Sequence, residues 1–140
     1  MAKKELFNNF ILAYLFRKVG AYPVDRVRND YGAVKKSYHL LNDGQVLGMF
    51  PEGSRSKDGQ FKKPHNGAAL IAIKSGMPVV PVAVAGPYRF FKPLHIYIGK
   101  PFILPPLVYN NRQDRKFKLE EMSGDIMAKI KQLLPEDSMN

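Results

Sequence analysis

The chain has 140 residues, which is enough for one domain with a single core and too short for two ordinary domains. Lys and Arg outnumber Asp and Glu by 22 to 12, and the net charge of +10 favours anionic partners such as lipid head groups, phosphorylated metabolites, acidic proteins or nucleic acid. The absence of cysteine from the sequence excludes disulfides and thiolate zinc sites, and no metal site is indicated.

The first apolar stretch predicts an amphipathic helix over residues 4–19, because its apolar residues recur mainly three and four positions apart. Gly20 is the natural stop of this helix. Polar residues such as Asn8 and Arg17 interrupt the stretch, so it fits neither a signal peptide nor a membrane-spanning helix. Any membrane contact of the chain is therefore expected to be peripheral.

The next elements are a short strand at residues 21–25, a polar loop and a second helix over residues 31–42. This helix is expected to turn Val34, Leu40 and Leu41 inward and to end near Asp43 and Gly44. Residues 46–50 form a continuous apolar run of strand length, which predicts a buried strand that ends at Pro51.

The second half of the chain continues the alternation of helices and strands. A helix is predicted over residues 67–75 with Gly76 as its stop, a buried strand over 78–85 and another strand over 95–98. A C-terminal amphipathic helix is marked by Leu119, Met122, Ile126, Met127, Ile130, Leu133 and Leu134. The pattern predicts a single α/β domain over residues 1–134, a mostly buried mixed sheet flanked by helices, and a loose tail over 135–140.

Residues 50–56 carry the most informative motif, Phe-Pro-Glu-Gly-Ser-Arg-Ser, directly after a predicted strand, where α/β proteins commonly build ligand sites. Arg55 can donate two hydrogen bonds to a phosphate, Ser54 adds a hydroxyl donor, and Gly53 lets the backbone approach a ligand closely. Glu52 can hold the arginine or bind a substrate hydroxyl. The alternative is a solvated turn in which Glu52 and Arg55 simply pair.

The motif resembles the Phe-Pro-Glu-Gly-Thr-Arg-Ser block of the glycerolipid acyltransferases, which acylate lysophosphatidate or glycerol phosphate. Residues 20–26 resemble the second block of that family and residues 80–82 the fourth, and the likeness covers roughly residues 1–105. The resemblance implies that Arg26 and Arg55 bind the phosphate of the acceptor, that Glu52 positions the acceptor and that Gly53 shapes the loop. Ser54 keeps the hydroxyl of the usual threonine. No cofactor or metal is implied.

The first block of the family is a His-x-x-x-x-Asp pair, in which histidine takes the proton of the acceptor hydroxyl. The three histidines of this chain, His39, His65 and His95, are followed at the required position by Gly44, Leu70 and Lys100. We expect structural or surface roles for all three, although His65 lies in the loop after the motif. No catalytic residue is therefore identified, and the chain is expected to be truncated on the N-terminal side relative to the family. An internal start, a fragment and a split gene remain open.

The resemblance implies acyl transfer from acyl-CoA or acyl carrier protein to lysophosphatidate, giving phosphatidate in phospholipid biosynthesis. The enzyme is expected to be peripheral, on the cytoplasmic side of an anionic membrane, with an N-terminal segment or a partner supplying the histidine. The alternative is a non-catalytic module that binds a phosphorylated lipid or a partner. A nucleic-acid-binding role, suggested by aromatic and basic side chains at residues 88–92, is not expected because the sequence shows no recognition motif.

Overall fold

A computed structural model of the protein describes residues 1–24, 30–53, 61–86, 91 and 93–135, with Lys3 described by its backbone alone. The helices of this part, apart from a short 3-10 turn at Lys4–Phe7, are α1 Phe10–Lys18, α2 Tyr31–Asn42, α3 Gly67–Ser75 and α4 Arg112–Lys131. The strands are β1 Ala2–Lys3, β2 Pro23–Val24, β3 Val82–Ala85 and β4 His95–Ile98. Among these residues, no helix is both long and apolar enough to cross a bilayer.

The predicted first helix is a 3-10 turn followed by α1, and a polar cap separates the two. The side chain of Asn9 accepts hydrogen bonds from the amides of Ile11 and Leu12, which starts α1 at Phe10. The helix ends where Gly20 adopts a φ of 74°, and the next amide, of Ala21, donates to the carbonyl of Phe16 at 2.8 Å. Gly20 is thus the stop that the sequence predicts.

The strands form two small sheets. β1 pairs with β2 in parallel, and β3 pairs with β4 in antiparallel register from Val82↔Ile98 to Ala85↔His95. The mixed α/β class is confirmed, but the sheets are smaller and more open than predicted, since Ile96 and Ile98 of β4 are 63% and 71% exposed. β3 begins later than residue 78 because Pro78 and Pro81 have no amide to donate, and Val79 forms only an isolated bridge with Phe102.

The prediction of a buried strand at residues 46–50 is wrong. These residues are not in a strand, and the side chains of Val46 and Phe50 are 98% and 77% exposed. A strand needs a neighbouring strand to bind its amides and carbonyls, and the described part of the chain supplies none here. The terminal amine of Met1 donates to the carbonyl of Gly48 at 3.1 Å. The apolar run therefore reaches the motif outside any strand, with Val46 and Phe50 exposed and Leu47 and Met49 half-buried.

The core lies between α3, α4 and the segment before α4. Its buried apolar residues are Ala69, Leu104, Leu119 and Ile126, and Met127 of α4 is also buried. The apolar face predicted for α4 is thus confirmed at Leu119, Ile126 and Met127, whereas Leu133 and Leu134 lie beyond the end of the helix at Lys131. The second helix has the predicted bounds, but Val34, Leu40 and Leu41 are only half-buried, whereas Ala33 and Ser37 are buried. α2 packs against α3, and the buried Ser37 hydroxyl of α2 contacts the Tyr22 hydroxyl.

Candidate functional site

The first residues of the motif lie beside the chain that follows it. The amide of Lys62 donates to Glu52 Oε2 at 3.0 Å, and the amide of His65 donates to the carbonyl of Pro51 at 2.8 Å. The amide of Gly53 donates to the carbonyl of Phe50 at 3.0 Å, which closes a turn. Two hydrogen bonds therefore join the residues that precede positions 54–60 to the residues that follow them.

At position 53, glycine is the residue that fits without a rearrangement of its neighbours. Its φ is 64°, in the left-handed region, and a Cβ atom built on it would lie 2.6 Å from His65 Cδ2 and 3.0 Å from His65 Nε2. The imidazole of His65 therefore packs directly against the backbone of the motif. Its own side chain is exposed to solvent.

Glu52 is half-buried, and its carboxylate binds the backbone rather than another described side chain. The sequence left two roles open for this residue, an ion pair with Arg55 or a hydrogen bond to a substrate hydroxyl. The bond to the Lys62 amide uses Oε2, and a carboxylate has further lone pairs for a ligand. Three of the predicted site residues, Arg26, Ser54 and Arg55, lie outside the described residues, and the ligand-binding roles of all five stay predictions.

The three histidines lie in different parts of the fold. His39 is on α2 with its ring 6.3 Å from that of Tyr38, and His95 is on β4 with its ring 6.5 Å from that of Tyr97. His65 is the histidine that contacts Gly53. The sequence assigned it a structural or surface role, and its contact with the motif was missed. The signal available was its place in the loop directly after the motif.

Two contacts anchor the His65 loop to α4. The ammonium of Lys63 donates to Glu120 Oε2 at 3.0 Å, and this hydrogen bond, reinforced by the lysine charge, lowers the pKa of the Glu120 carboxyl. On the other side of His65, Ser123 Oγ lies 3.4 Å from Asn66 Oδ1, while its single proton is donated to the carbonyl of Leu119 at 2.7 Å. His65 thus lies between two residues, Lys63 and Asn66, that each contact α4.

A buried hydroxyl pair anchors β2, which directly precedes residues 25–29. Tyr22 Oη and Ser37 Oγ are 2.8 Å apart, and Ser37 Oγ donates to the carbonyl of Ala33 at 2.7 Å. Because a serine hydroxyl has one proton, Tyr22 is the donor to Ser37. Burial raises the pKa of the Tyr22 phenol, and the charge of Asp30 raises it further, while the Ser37 hydrogen bond lowers it. The described residues contain no group of three or more metal-ligating side chains.

Comparisons with known proteins agree with the resemblance read from the motif. Residues 1–85 match the model of the protein family described as Acyltransferase. The chain is 34% identical to the 1-acyl-sn-glycerol-3-phosphate acyltransferase of Bacillus subtilis, over 95% of this chain and 67% of that protein. It is 40% identical to the enzyme of the same name from Streptococcus pneumoniae, over 62% of this chain and 32% of that protein.

One solved structure has the same fold. The 1-acyl-sn-glycerophosphate (LPA) acyltransferase PlsC of Thermotoga maritima superposes with a TM-score of 0.59 at 24% identity, covering 91% of this chain. The chain spans 54% of that protein, and between about a third and two thirds of the two curated relatives named above. With a family match over residues 1–85 of 140, the chain belongs to the acyltransferase family.

Proposed function

We propose that this protein takes part in acyl transfer from an acyl thioester to lysophosphatidate, giving phosphatidate in phospholipid biosynthesis. The hydroxyl oxygen of the acceptor attacks the thioester carbonyl carbon, a carbon–oxygen ester bond forms, and the carbon–sulfur bond breaks. The hydroxyl proton passes through a base to the leaving sulfur, which departs as a thiol. The observation that carries the proposal is the motif at residues 50–56 in a member of this family.

The part of the reaction assigned to this chain is binding of the acceptor. Arg26 and Arg55 bind the phosphate, Ser54 adds a hydroxyl donor, and Glu52 accepts a hydrogen bond from an acceptor hydroxyl through the oxygen that Lys62 does not use. The closed turn at Gly53 fixes the start of this loop. The net charge of +10 attracts lysophosphatidate and either acyl donor, the phosphates of acyl-CoA or acidic acyl carrier protein.

The base in this proposal is a His-x-x-x-x-Asp pair supplied from outside these 140 residues, by an N-terminal segment or by a partner chain. None of the three histidines here precedes such an aspartate. The same observation favours the alternative function, a non-catalytic module in which the arginine pocket binds a phosphorylated lipid or a partner.

Membrane attachment in this proposal is peripheral, through α1, on the cytoplasmic side. The helix exposes several apolar side chains, with Phe10 86%, Ile11 74%, Tyr14 59% and Leu15 56% exposed. Arg17 and Lys18 lie in its last turn. An apolar face beside basic residues is the pattern of helices that lie in the interface of an anionic membrane.

Calorimetric titration with glycerol 3-phosphate and with lysophosphatidate tests the acceptor site. Arg55→Ala should weaken binding by about 1.5 to 3 kcal/mol, roughly ten- to 150-fold, because a charge-assisted hydrogen bond is lost. Arg112→Ala, at an exposed position of α4, is the matched control and should bind as wild type. Equal binding by Arg55→Ala and wild type would remove Arg55 from the site.

A transfer assay with labelled acyl-CoA or acyl carrier protein then separates the two functions. Phosphatidate formed by the purified chain supports the enzyme, and so does phosphatidate formed only when a polypeptide carrying the histidine–aspartate pair is added. Binding of lysophosphatidate without transfer under either condition supports the non-catalytic module. Absence of binding would contradict both.

A further inference from the structure

A second candidate site lies at the far end of α3 from the motif. An open groove of about 420 Å³ runs between the last turns of α3, the segment before α4 and the start of α4. Its floor is apolar, formed by Leu70, Ile73, Ile103, Leu104 and Leu107. This volume falls in the range of roughly 300–1,000 Å³ that is usual for small-molecule sites.

Two cations border this apolar floor. Lys74 and Arg115 both line the groove, and no carboxylate does so among the residues that the structure describes. The guanidinium of Arg115 lies 5.8 Å from the ring centroid of Tyr109, which also lines the groove. Within the described part of the chain, neither cation forms an ion pair with a carboxylate. Both charges are therefore available to a ligand that covers the apolar floor.

We propose that this groove binds a single-chain anionic amphiphile of the fatty-acid class. The alkyl tail lies on Ile73, Ile103 and Leu107. The carboxylate lies between Lys74 and Arg115, and the Arg115 guanidinium can donate hydrogen bonds to both carboxylate oxygens. Burial of the alkyl tail against the apolar floor contributes binding free energy whatever the head group is. A negative head group adds electrostatic attraction to the two cations.

Charge complementarity selects an anionic ligand for this groove, since two cations and no carboxylate line it among the described residues. The amphiphile site is also separate from the motif. Lys74 lies seven residues along α3 from Gly67, about 10 Å at 1.5 Å per residue, whereas His65 precedes the start of the helix.

Methyl NMR with dodecanoate, kept below its critical micelle concentration, tests the proposal. We expect saturable shifts of the Ile73, Ile103 and Leu107 methyl signals, and unchanged signals from Ile11 on α1 and Ile126 in the core. Dodecyltrimethylammonium has the same tail and a positive head group, and it should bind at least tenfold more weakly. Equal binding of the two amphiphiles, or shifts centred on Ile11, would overturn the proposal.

Matched variants complete the test. Ile103 and Phe117 are both 68% exposed, and only Ile103 lines the groove. Ile103→Glu should reduce dodecanoate binding at least tenfold, whereas Phe117→Glu should bind as wild type. Ile103→Glu should also keep the wild-type affinity for glycerol 3-phosphate, which has no tail, so the result is independent of the phosphate site. Equal losses in the two variants, or a wild-type dimer that Ile103→Glu dissociates, would contradict an amphiphile site.

Discussion

The imidazole of His65 occupies the space that a side chain at Gly53 would need. A Cβ atom there would lie 2.6 Å from His65 Cδ2, a distance that real Cβ contacts do not show. Gly53 also has a φ of 64°. Gly44 shares that conformation with a φ of 73°, and a Cβ atom placed on it would have nothing within 4 Å among the described residues. The chain therefore offers two glycines that share a left-handed backbone conformation and differ in steric contact.

Gly53→Ala should destabilise the protein more than Gly44→Ala. Both variants force alanine into the left-handed region, at a cost of roughly 1–2 kcal/mol, and only Gly53→Ala must also displace an imidazole. Urea denaturation measures the two losses. Adding His65→Ala should remove the excess, because the steric contact is gone while the φ remains. Equal losses for the two alanine variants would mean that His65 moves aside at no cost.

Glu52 is expected to hold the ends of the loop together because its side-chain oxygen accepts a hydrogen bond from the Lys62 amide. Its negative charge is not required for this role. Glu52→Gln keeps an oxygen for the Lys62 amide and should change stability little, whereas Glu52→Ala should lose about 0.5 to 1.5 kcal/mol. Hydrogen exchange of the Lys62 amide should accelerate in Glu52→Ala. Glu121→Ala, an exposed carboxylate on α4, is the control. Wild-type protection of Lys62 in Glu52→Ala would show that the bond does not hold the loop.

Local signals made several elements predictable from the sequence. α2, α3 and β4 have the predicted bounds, and the side chain of Asp30 caps the first turn of α2 by accepting from the amide of Ala33. Gly20, Gly44 and Gly76 all have a positive φ at helix ends. Such signals act within a few residues, so no knowledge of the rest of the fold is needed.

The failures are features that depend on distant parts of the chain. Residues 46–50 have strand composition, but pairing requires a neighbouring strand, and composition does not reveal whether one is present. The motif was recognisable because its residues are contiguous, and the family match confirms that resemblance. The contact between Gly53 and His65 was not recognisable from the sequence, because it forms only when the chain folds back on itself.

Ser37→Ala should destabilise the protein by about 1–3 kcal/mol, because the buried phenol of Tyr22 then has no acceptor. Tyr22→Phe removes the donor instead and should cost less, since Ser37 still donates to the carbonyl of Ala33. The double variant should be close to Tyr22→Phe alone, which a double-mutant cycle in urea measures. Additive losses would show that the two hydroxyls do not depend on each other.

Phe10→Asp should weaken binding to vesicles of phosphatidylglycerol. Phe10 is 86% exposed, so the change removes little packing within the protein. Transfer of a phenylalanine side chain from water into an apolar environment contributes about 1.5–3 kcal/mol to the free energy of membrane binding. Co-sedimentation at low salt should show a loss of roughly tenfold or more, and binding by the wild type should fall as salt rises. Phe117→Asp, on α4 and 68% exposed, is the matched control. Equal losses in the two variants would contradict attachment through α1.

The raised pKa of Tyr22 predicts a loss of stability in alkali. Burial and the charge of Asp30 raise the pKa of the folded phenol above 10.0, the value for an unperturbed tyrosine, so the unfolded chain releases this proton first. The contribution is therefore fully present below pH 10.0 and is lost as the pH rises through the folded pKa. Urea denaturation between pH 8 and about 12 should show a steeper decline for wild type than for Tyr22→Phe, since only the wild type has this phenol. Parallel curves would mean that the Tyr22 phenol titrates alike in the folded and unfolded chains.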